Sequence, residues 1–546
     1  MARPSADTYD YIIIGAGSAG CVLAERLSED PDVRVLVLEA GGKDSHPYIH
    51  MPIGFLKAMF VPGMTWGYMS EPIPALNDRR LPVPRGKVLG GSSSINGMFY
   101  MRGHPHDFDT WRQMGCEGWG YADVLPYFKR METSWRGEGK YHGGSGPLSV
   151  QPIDTRLLLH DPLMETAKNA GYDTSDDLSG AVPEGFSKGE VTIDKRGRRA
   201  SAYRAYLHPA LKRNNLTLEM EALTTRVLIE TGRAVGVEVS QGGQLRQIRA
   251  EREVILCGGA YNSPQLLMLS GIGPADELTP HGIRPIVDLK GVGKNLSEHP
   301  NCMMRFQAKK PVTFLKELRY DKAAMSAAQW ALFGTGPFAT QINSCNIVIR
   351  TAPHLDQPDI QLMCNPVRMD AKLWFPGVTK ELEHAFQVGV VILHPLSRGE
   401  MTLRSASPLD GPKIQLNLMG NPAEFEIMRR GIREARRIYH TSPQGELTGA
   451  EAAPGDDAQT DEQLDAWIRN VCSATQHPVG TCSMGLGAEA VVDPELRVRG
   501  IQGLRVADAS IMPTVPGANT NAAAIMIGEK AADLVRGRRL PAEEGV

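Results

Sequence analysis

Near the start of this 546-residue chain, Gly15, Gly17 and Gly20 form a Gly-x-Gly-x-x-Gly run directly after the apolar stretch Tyr11-Ile12-Ile13-Ile14. The spacing suits a dinucleotide. Gly15 permits a tight turn, Gly17 lets a pyrophosphate approach the backbone, and Gly20 lets helix and strand pack closely. The residues that follow, Cys21 to Leu27, keep helical spacing. The helix start would offer unpaired N–H groups and about half a positive charge to phosphate. A second apolar run, Val33 to Leu38, ends in Glu39, 19 residues beyond Gly20. A carboxylate there accepts hydrogen bonds from both ribose hydroxyls and repels a 2′-phosphate. An ordinary glycine turn is the bland alternative, and a strand on each side with an acid at this distance argues against it. NAD and FAD share the same ADP half, so this stretch does not choose between them.

Two further regions carry chemistry-bearing types. In Arg85 to Met98, the small residues Gly90 to Ser94 strip away side-chain bulk, so backbone can lie against a flat ring or a phosphate. A flexible glycine–serine turn explains them equally well. Near the other end, Ser473 to Thr481 contains His477-Pro478, and Pro516 to Asn521 precedes a helical pattern. Taken alone, His477 reads as a loop histidine bonded locally, and Asn521 as the N-cap region of the last helix.

The elements that must position these residues follow from periodicity. The segment Ala40 to Pro84 reads as loops and short elements, and Asp109 to Met131 as helical packing. A short helix is expected near Pro162 to Ala170, and the basic run Arg196 to Arg204 reads as a solvated face or a cover for an anionic cofactor. A β-rich block then runs through Leu216 to Leu218, Arg226 to Glu230, Ala234 to Val239 and Gln247-Ile248 to a last strand at Val254 to Cys257. The next helix is punctuated by Ser263 as N-cap, Pro264 at its first position and Gly271 at its end. The middle of the chain mixes strands (Ile360 to Met363, Gln387 to Leu393, Met401 to Arg404) with helices (Ala423 to His440, Asp461 to Val471). Gly449 to Asp461 reads as a surface loop. A strand at Leu504 to Ala507 and an amphipathic helix from Ala522 to Leu534 close the chain.

Composition is that of an ordinary globular protein, with 42% hydrophobic and 22% charged residues. A formal charge of −3 gives no basic excess for nucleic acid. No apolar run of about 18 residues predicts a spanning helix, although peripheral membrane contact stays open. Met1 to Asp7 carry no signal-like apolar core. The eight cysteines are scattered without zinc or dithiol spacing, so no metal site is expected and a reducing, cytoplasmic location is. Oligomeric state stays open.

Taken in order, the motifs resemble those of the glucose–methanol–choline (GMC) family of FAD-dependent alcohol oxidoreductases, in its bacterial choline-dehydrogenase-like branch. The match spans roughly Asp10 to Arg536. It rests on the first dinucleotide unit, Arg85 to Met98, Gly259 to Gly273, Val292 to His299, His477 to Thr481, and Asp508 with Asn519 to Asn521. The resemblance implies an α/β fold: a Rossmann-type FAD-binding domain built from discontinuous segments, with an α+β substrate-binding domain whose antiparallel sheet is covered by helices. The FAD domain would take 8–155, 210–300 and 471–540, with 156–209 as a cap and 301–470 as the substrate domain.

By the same resemblance, Gly15, Gly17, Ser18, Ala19, Gly20, Glu39 and Ala40 hold the ADP part, and Trp66 lies near the cofactor. Leu89, Gly91, Asn96, Gly97 and Met98 would lie along the flavin and its phosphates, and Val227 would meet the adenine through its backbone. Asp508 and Ala509 fall near the pyrophosphate and ribityl chain, and Asn519 and Thr520 near the flavin ring. Ile95 occupies the position where some relatives attach FAD through histidine, so a non-covalent flavin is expected. The resemblance makes His477 the proton acceptor and Asn521, 44 residues later, the group that holds the substrate oxygen. Alcohol oxidation to an aldehyde is the implied reaction, with a quinone, dye or O2 as electron acceptor. An NAD-dependent dehydrogenase and a lyase or binding protein with structural FAD are the competing readings. Phe99, Trp374 and His394 are candidates for the substrate wall.

Overall fold

The computed structural model describes residues 8–379 and 382–546; the reading of Met1 to Asp7 lies outside them. Tyr11 to Ile14 form the end of the strand Thr8–Ile14, where β-branched residues buried on both faces suit a parallel sheet. The strand sits between Val35–Leu38 and Gln244–Leu256, parallel to both. Along this seven-stranded sheet the order is Leu216–Glu219, Val35–Leu38, Thr8–Ile14, Gln244–Leu256, Arg233–Gln241, Ala222–Glu230. Leu504–Val506 pairs in parallel with the end of Gln244–Leu256. Gln247-Ile248 and Val254 to Cys257, read as two strands, fall on one continuous strand that ends at Leu256. Segments distant in sequence therefore bring their C-terminal ends to one edge, where a parallel α/β sheet places ligands.

A second seven-stranded sheet is antiparallel. Its order is Thr448–Ala453, Pro300–Ala308, Ala385–Ile392, Ile360–Asn365, Cys345–Ile349, Gly185–Ser187, with Ser473–Ala474 on the start of Pro300–Ala308. The helix Ala423–His440 covers it with Phe425, Met428, Ile432, Ala435, Ile438 and Tyr439, spaced at three and four residues to form one apolar stripe. Tyr439 stacks on Phe306 of the sheet at 4.8 Å.

Several expectations are corrected. Thr448–Ala453 is an edge strand and not a loop: the open edge of Pro300–Ala308 supplies the backbone partners, and buried Glu451 is clamped by Arg436 at 2.8 Å. The closing helix, Asn521–Val535, is buried on nearly every side and is not amphipathic. Its buried Glu529 meets Arg26 at 2.9 Å, Arg130 at 2.8 Å and the Tyr206 hydroxyl at 2.9 Å. The basic run divides: Arg196, Arg198 and Arg204 are exposed, whereas Arg199 is buried and donates to Ile49 O, Ser93 O and Asn96 Oδ1.

The helix after the first sheet begins at Gly259, ahead of the expected start, and Pro264 lies inside it. Proline cannot donate to the carbonyl four residues back; the Thr481 hydroxyl takes the place of that donor, meeting Ala260 O at 2.6 Å. Asp508 caps the helix instead of Ser263, accepting from Gly259 N at 2.8 Å and from Ser263 Oγ at 2.5 Å.

Among the described residues all eight cysteines are buried and unpaired, and no helix is long and apolar enough to cross a membrane.

Candidate active site

A cavity of about 490 Å³ runs between the two sheets, from Glu39 to His477. At its first end the wall includes Gly15, Gly17, Ser18, Ala19, Glu39 and Ala40. The helix Ser18–Leu27 starts there with no side-chain cap, so its first N–H groups face the cavity. Glu39 is held by Ala16 N at 2.9 Å and Gly41 N at 2.8 Å, one to each carboxylate oxygen, leaving further lone pairs to accept ribose hydroxyls. Burial pushes its carboxyl up to about 7. An added Cβ at Gly91 would come within 2.8 Å of Gly17 Cα, so the two loops touch backbone to backbone. Trp66, Asn96, Gly97, Met98, Asp508, Ala509, Asn519 and Thr520 continue the wall.

Three expected contacts are absent from this wall. Gly20 packs behind the loop, where an added Cβ would collide with the Gly15 carbonyl oxygen. Leu89 is buried and donates its backbone N–H to Gly42 O at 3.0 Å. Val227 gives its N–H to Ser270 Oγ at 2.8 Å, and Ala222, Leu223 and Thr224 face the cavity in its place. Among the substrate candidates Phe99 lines the cavity; Trp374 packs elsewhere and donates to Leu315 O at 3.1 Å, and His394 sits 3.6 Å from Asp107.

At the far end His477 is fixed on three sides. Its backbone N–H donates to Glu298 Oε1 at 2.7 Å, its Nδ1 lies 3.0 Å from His299 Nδ1, and its Nε2 lies 3.1 Å from Asn519 Nδ2. An N–H of Asn519 donating to Nε2 leaves the His477 proton on Nδ1, to be donated to His299. Nε2 therefore carries the ring's one lone pair, which accepts from Asn519 and becomes available to a hydroxyl when that amide turns away. Burial and then the Arg85 guanidinium push His477 down to about 3, so the ring stays neutral at ordinary pH. Burial, with the neighbouring His477, also lowers His299 well below the usual histidine range. Glu298 is buried, which pushes it up to about 7. Arg85 lines the cavity and donates to Gln476 O at 2.9 Å, holding the residue before the base in a left-handed conformation with φ of 72°.

Asn521 lines the same cavity but does not touch His477. Its Oδ1 accepts from Ser18 Oγ at 2.8 Å, joining the last helix to the glycine loop, and Asn519 is the asparagine that meets His477. The buried Asn519 Oδ1 has no partner within the protein.

These residues fit a flavin dinucleotide: bare backbone at Gly17 and Gly91, open N–H groups at a helix start, and a carboxylate for ribose. The base lies at the other end of the same cavity.

The comparisons with known proteins agree. The GMC oxidoreductase family matches this chain in two parts, residues 9–301 and 395–528. The chain is a GMC oxidoreductase. Similar curated proteins include the oxygen-dependent choline dehydrogenases of Sinorhizobium fredii, 46% identical over 97% of this chain and 96% of that protein, and of Brucella canis, 44% identical with the same coverages. Among solved structures, pyridoxine 4-oxidase from Mesorbium loti superposes with a TM-score of 0.87 at 29% identity, covering 97% of this chain and 100% of that one. A formate oxidase variant from Aspergillus oryzae RIB40, studied for its FAD modification, gives a TM-score of 0.90 at 28% identity, with coverages of 98% and 99%. This GMC oxidoreductase is thus an FAD-dependent, choline-dehydrogenase-like enzyme of the alcohol-oxidising type.

Glu298, His299 and Arg85 all fall inside motifs that the sequence displays, yet nothing in their spacing marks them as partners of His477. Only the fold brings them together.

Proposed function

We propose that this GMC oxidoreductase oxidises a primary alcohol to an aldehyde, with His477 as base and Asn519 holding the substrate oxygen. The observation that carries this reading is the 3.1 Å contact between His477 Nε2 and Asn519 Nδ2, on the wall of the cavity that begins at the glycine loop. Bound FAD supplies the acceptor for the hydride leaving the carbinol carbon. His477 Nε2 accepts the hydroxyl proton. The Asn519 amide N–H turns to the oxygen as negative charge develops there, an electrostatic task that needs no titration. Arg85 works in the same direction: the charge that disfavours an imidazolium favours an alkoxide. The Glu298 carboxylate, bonded to the His477 backbone, offsets the positive charge that the ring acquires.

Replacing each asparagine separates the two assignments. Asn519→Ala should lower kcat by about 100-fold with flavin content unchanged, the usual loss for one oxyanion donor. Asn521→Ala should instead weaken flavin retention, because it frees Ser18 at the glycine loop. The opposite pattern in kcat and in the 450 nm absorbance would return the role to Asn521.

The flavin is held without a covalent bond in this reading, because buried Ile95 offers no nucleophile where it lines the cavity. Acid precipitation should leave a white pellet and a yellow supernatant; colour in the pellet would refute non-covalent binding. With one good alcohol, comparing peroxide formation with dye reduction assigns O2 or a quinone-like acceptor.

A further inference from the structure

The substrate wall beyond His477 and Asn519 comes from the second sheet and the loop before Cys345–Ile349. Asn301 and Met303 stand two residues apart on one strand, and Met363 and Asn365 on another, so each pair shares a face. Gly389 lies between Met303 and Met363 in register. A Cβ at Gly389 would stand 3.1 Å from Asn301 Oδ1, Met303 Sδ and Met363 Cε, so its missing side chain gives this face its depth. Gln341 closes the pocket from the loop. Asn301 is 7% exposed and Gln341 2%, and the side-chain oxygen of each is buried with no partner in the protein. A buried acceptor left empty is costly, and a ligand that donates a hydrogen bond removes that cost.

Charge points the same way. Among the described residues that line the cavity, the carboxylates are Glu39 and Asp508, both committed to the dinucleotide end and to helix capping. The charged side chain that lines the cavity beside the base is the cation Arg85, whereas Glu298, bonded to the His477 backbone, stands behind the wall. A quaternary ammonium would enter without a counter-charge on the cavity wall, against a guanidinium, and has no N–H or O–H to give the two empty oxygens. Methionines fit methylene chains of varied shape.

We infer that the substrate is an uncharged aliphatic alcohol carrying a second hydroxyl, whose O–H donates to the Asn301 side-chain oxygen between the methionines, and that choline-like cations are excluded. This rests on the alcohol-oxidising reading above. The test uses the purified holoenzyme, anaerobically, with two matched pairs: butane-1,4-diol against pentan-1-ol, and 3,3-dimethylbutan-1-ol against choline. Flavin bleaching should favour the diol by about tenfold, the equivalent of one satisfied buried acceptor, and the neutral isostere over choline by more than that. Asn301→Leu should narrow the diol-to-alkanol ratio at least fivefold, and Asn301→Asp should raise the choline rate. Choline matching its neutral isostere, or a diol ratio at or below one, overturns the inference and leaves alcohol oxidation standing. Spectral titration of the His477→Ala holoenzyme with the same pairs reads binding without turnover. Tighter diol binding there, with no alcohol reducing the native flavin, would instead overturn the reaction and keep the pocket.

Discussion

His477→Ala should leave a yellow, folded protein whose alcohol turnover falls about 10²–10⁴-fold, the range for loss of a positioned general base. That loss is roughly 3–5 kcal/mol of barrier. Flavin retention is expected because His477 touches Glu298, His299 and Asn519, whereas the dinucleotide end is built by Gly15 to Ala19, Glu39 and Gly91. The histidine is neutral when free, so it needs no prior deprotonation, and the native enzyme should not lose activity to its protonation until the pH is far below 6. Exogenous imidazole should recover part of the variant's rate, because truncation opens space where the ring stood. Stopped-flow bleaching of the flavin by one good alcohol measures both effects. Reduction at near-native speed in the variant would remove His477 from the chemistry.

Gly20→Ala should yield protein without flavin. In an exposed helix this change favours folding by about 1 kcal/mol, yet here the new methyl group would collide with the Gly15 carbonyl oxygen. The collision involves backbone on the loop side, so no side chain can move aside. Gly15 itself has a φ of +102° and little room, with Cys257 O 2.6 Å from where a Cβ would be. The loop must therefore swing towards the site of the pyrophosphate. Loss of a ligand held at 1,000 times its Kd removes about 4 kcal/mol of apparent stability, so the Tm should fall with the 450 nm absorbance. Gly139→Ala serves as control, since an added Cβ there meets nothing within 4 Å. A yellow Gly20→Ala protein with normal Tm would show that the loop tolerates the shift.

What was legible in the sequence follows the range of the interactions involved. Gly15, Gly17, Gly20 and Glu39 belong to one strand–turn–helix–strand unit, so local spacing exposes their geometry. Ala423–His440 and Asp461–Val471 were readable from periodicity alone. The second asparagine was not. Asn519 and Asn521 flank Thr520 at the turn into the last helix, and which of them meets His477 depends on where that helix starts, which counting along the chain does not show. Arg199 looked like one more charge in a solvated run because its acceptors lie about 100 residues and more away in sequence. Pro264 read as a helix start because the donor that relieves it, Thr481, comes from a distant loop.

The last two crossings between the sheets lie side by side. Pro300 and Asn301 pair with Ala474 and Ser473, next to the contact between His299 and His477. The long excursion from one crossing to the other is thus a closed loop, pinned at its neck by the residues that flank the base. The entropy of closing such a loop grows only slowly with its length. Lineages and engineers alike can therefore lengthen, shorten or exchange parts of the excursion at small thermodynamic cost, provided the neck and the pairing of Cys345–Ile349 with Gly185–Ser187 are kept. A graft joined at the neck would carry a new specificity onto an unaltered proton acceptor.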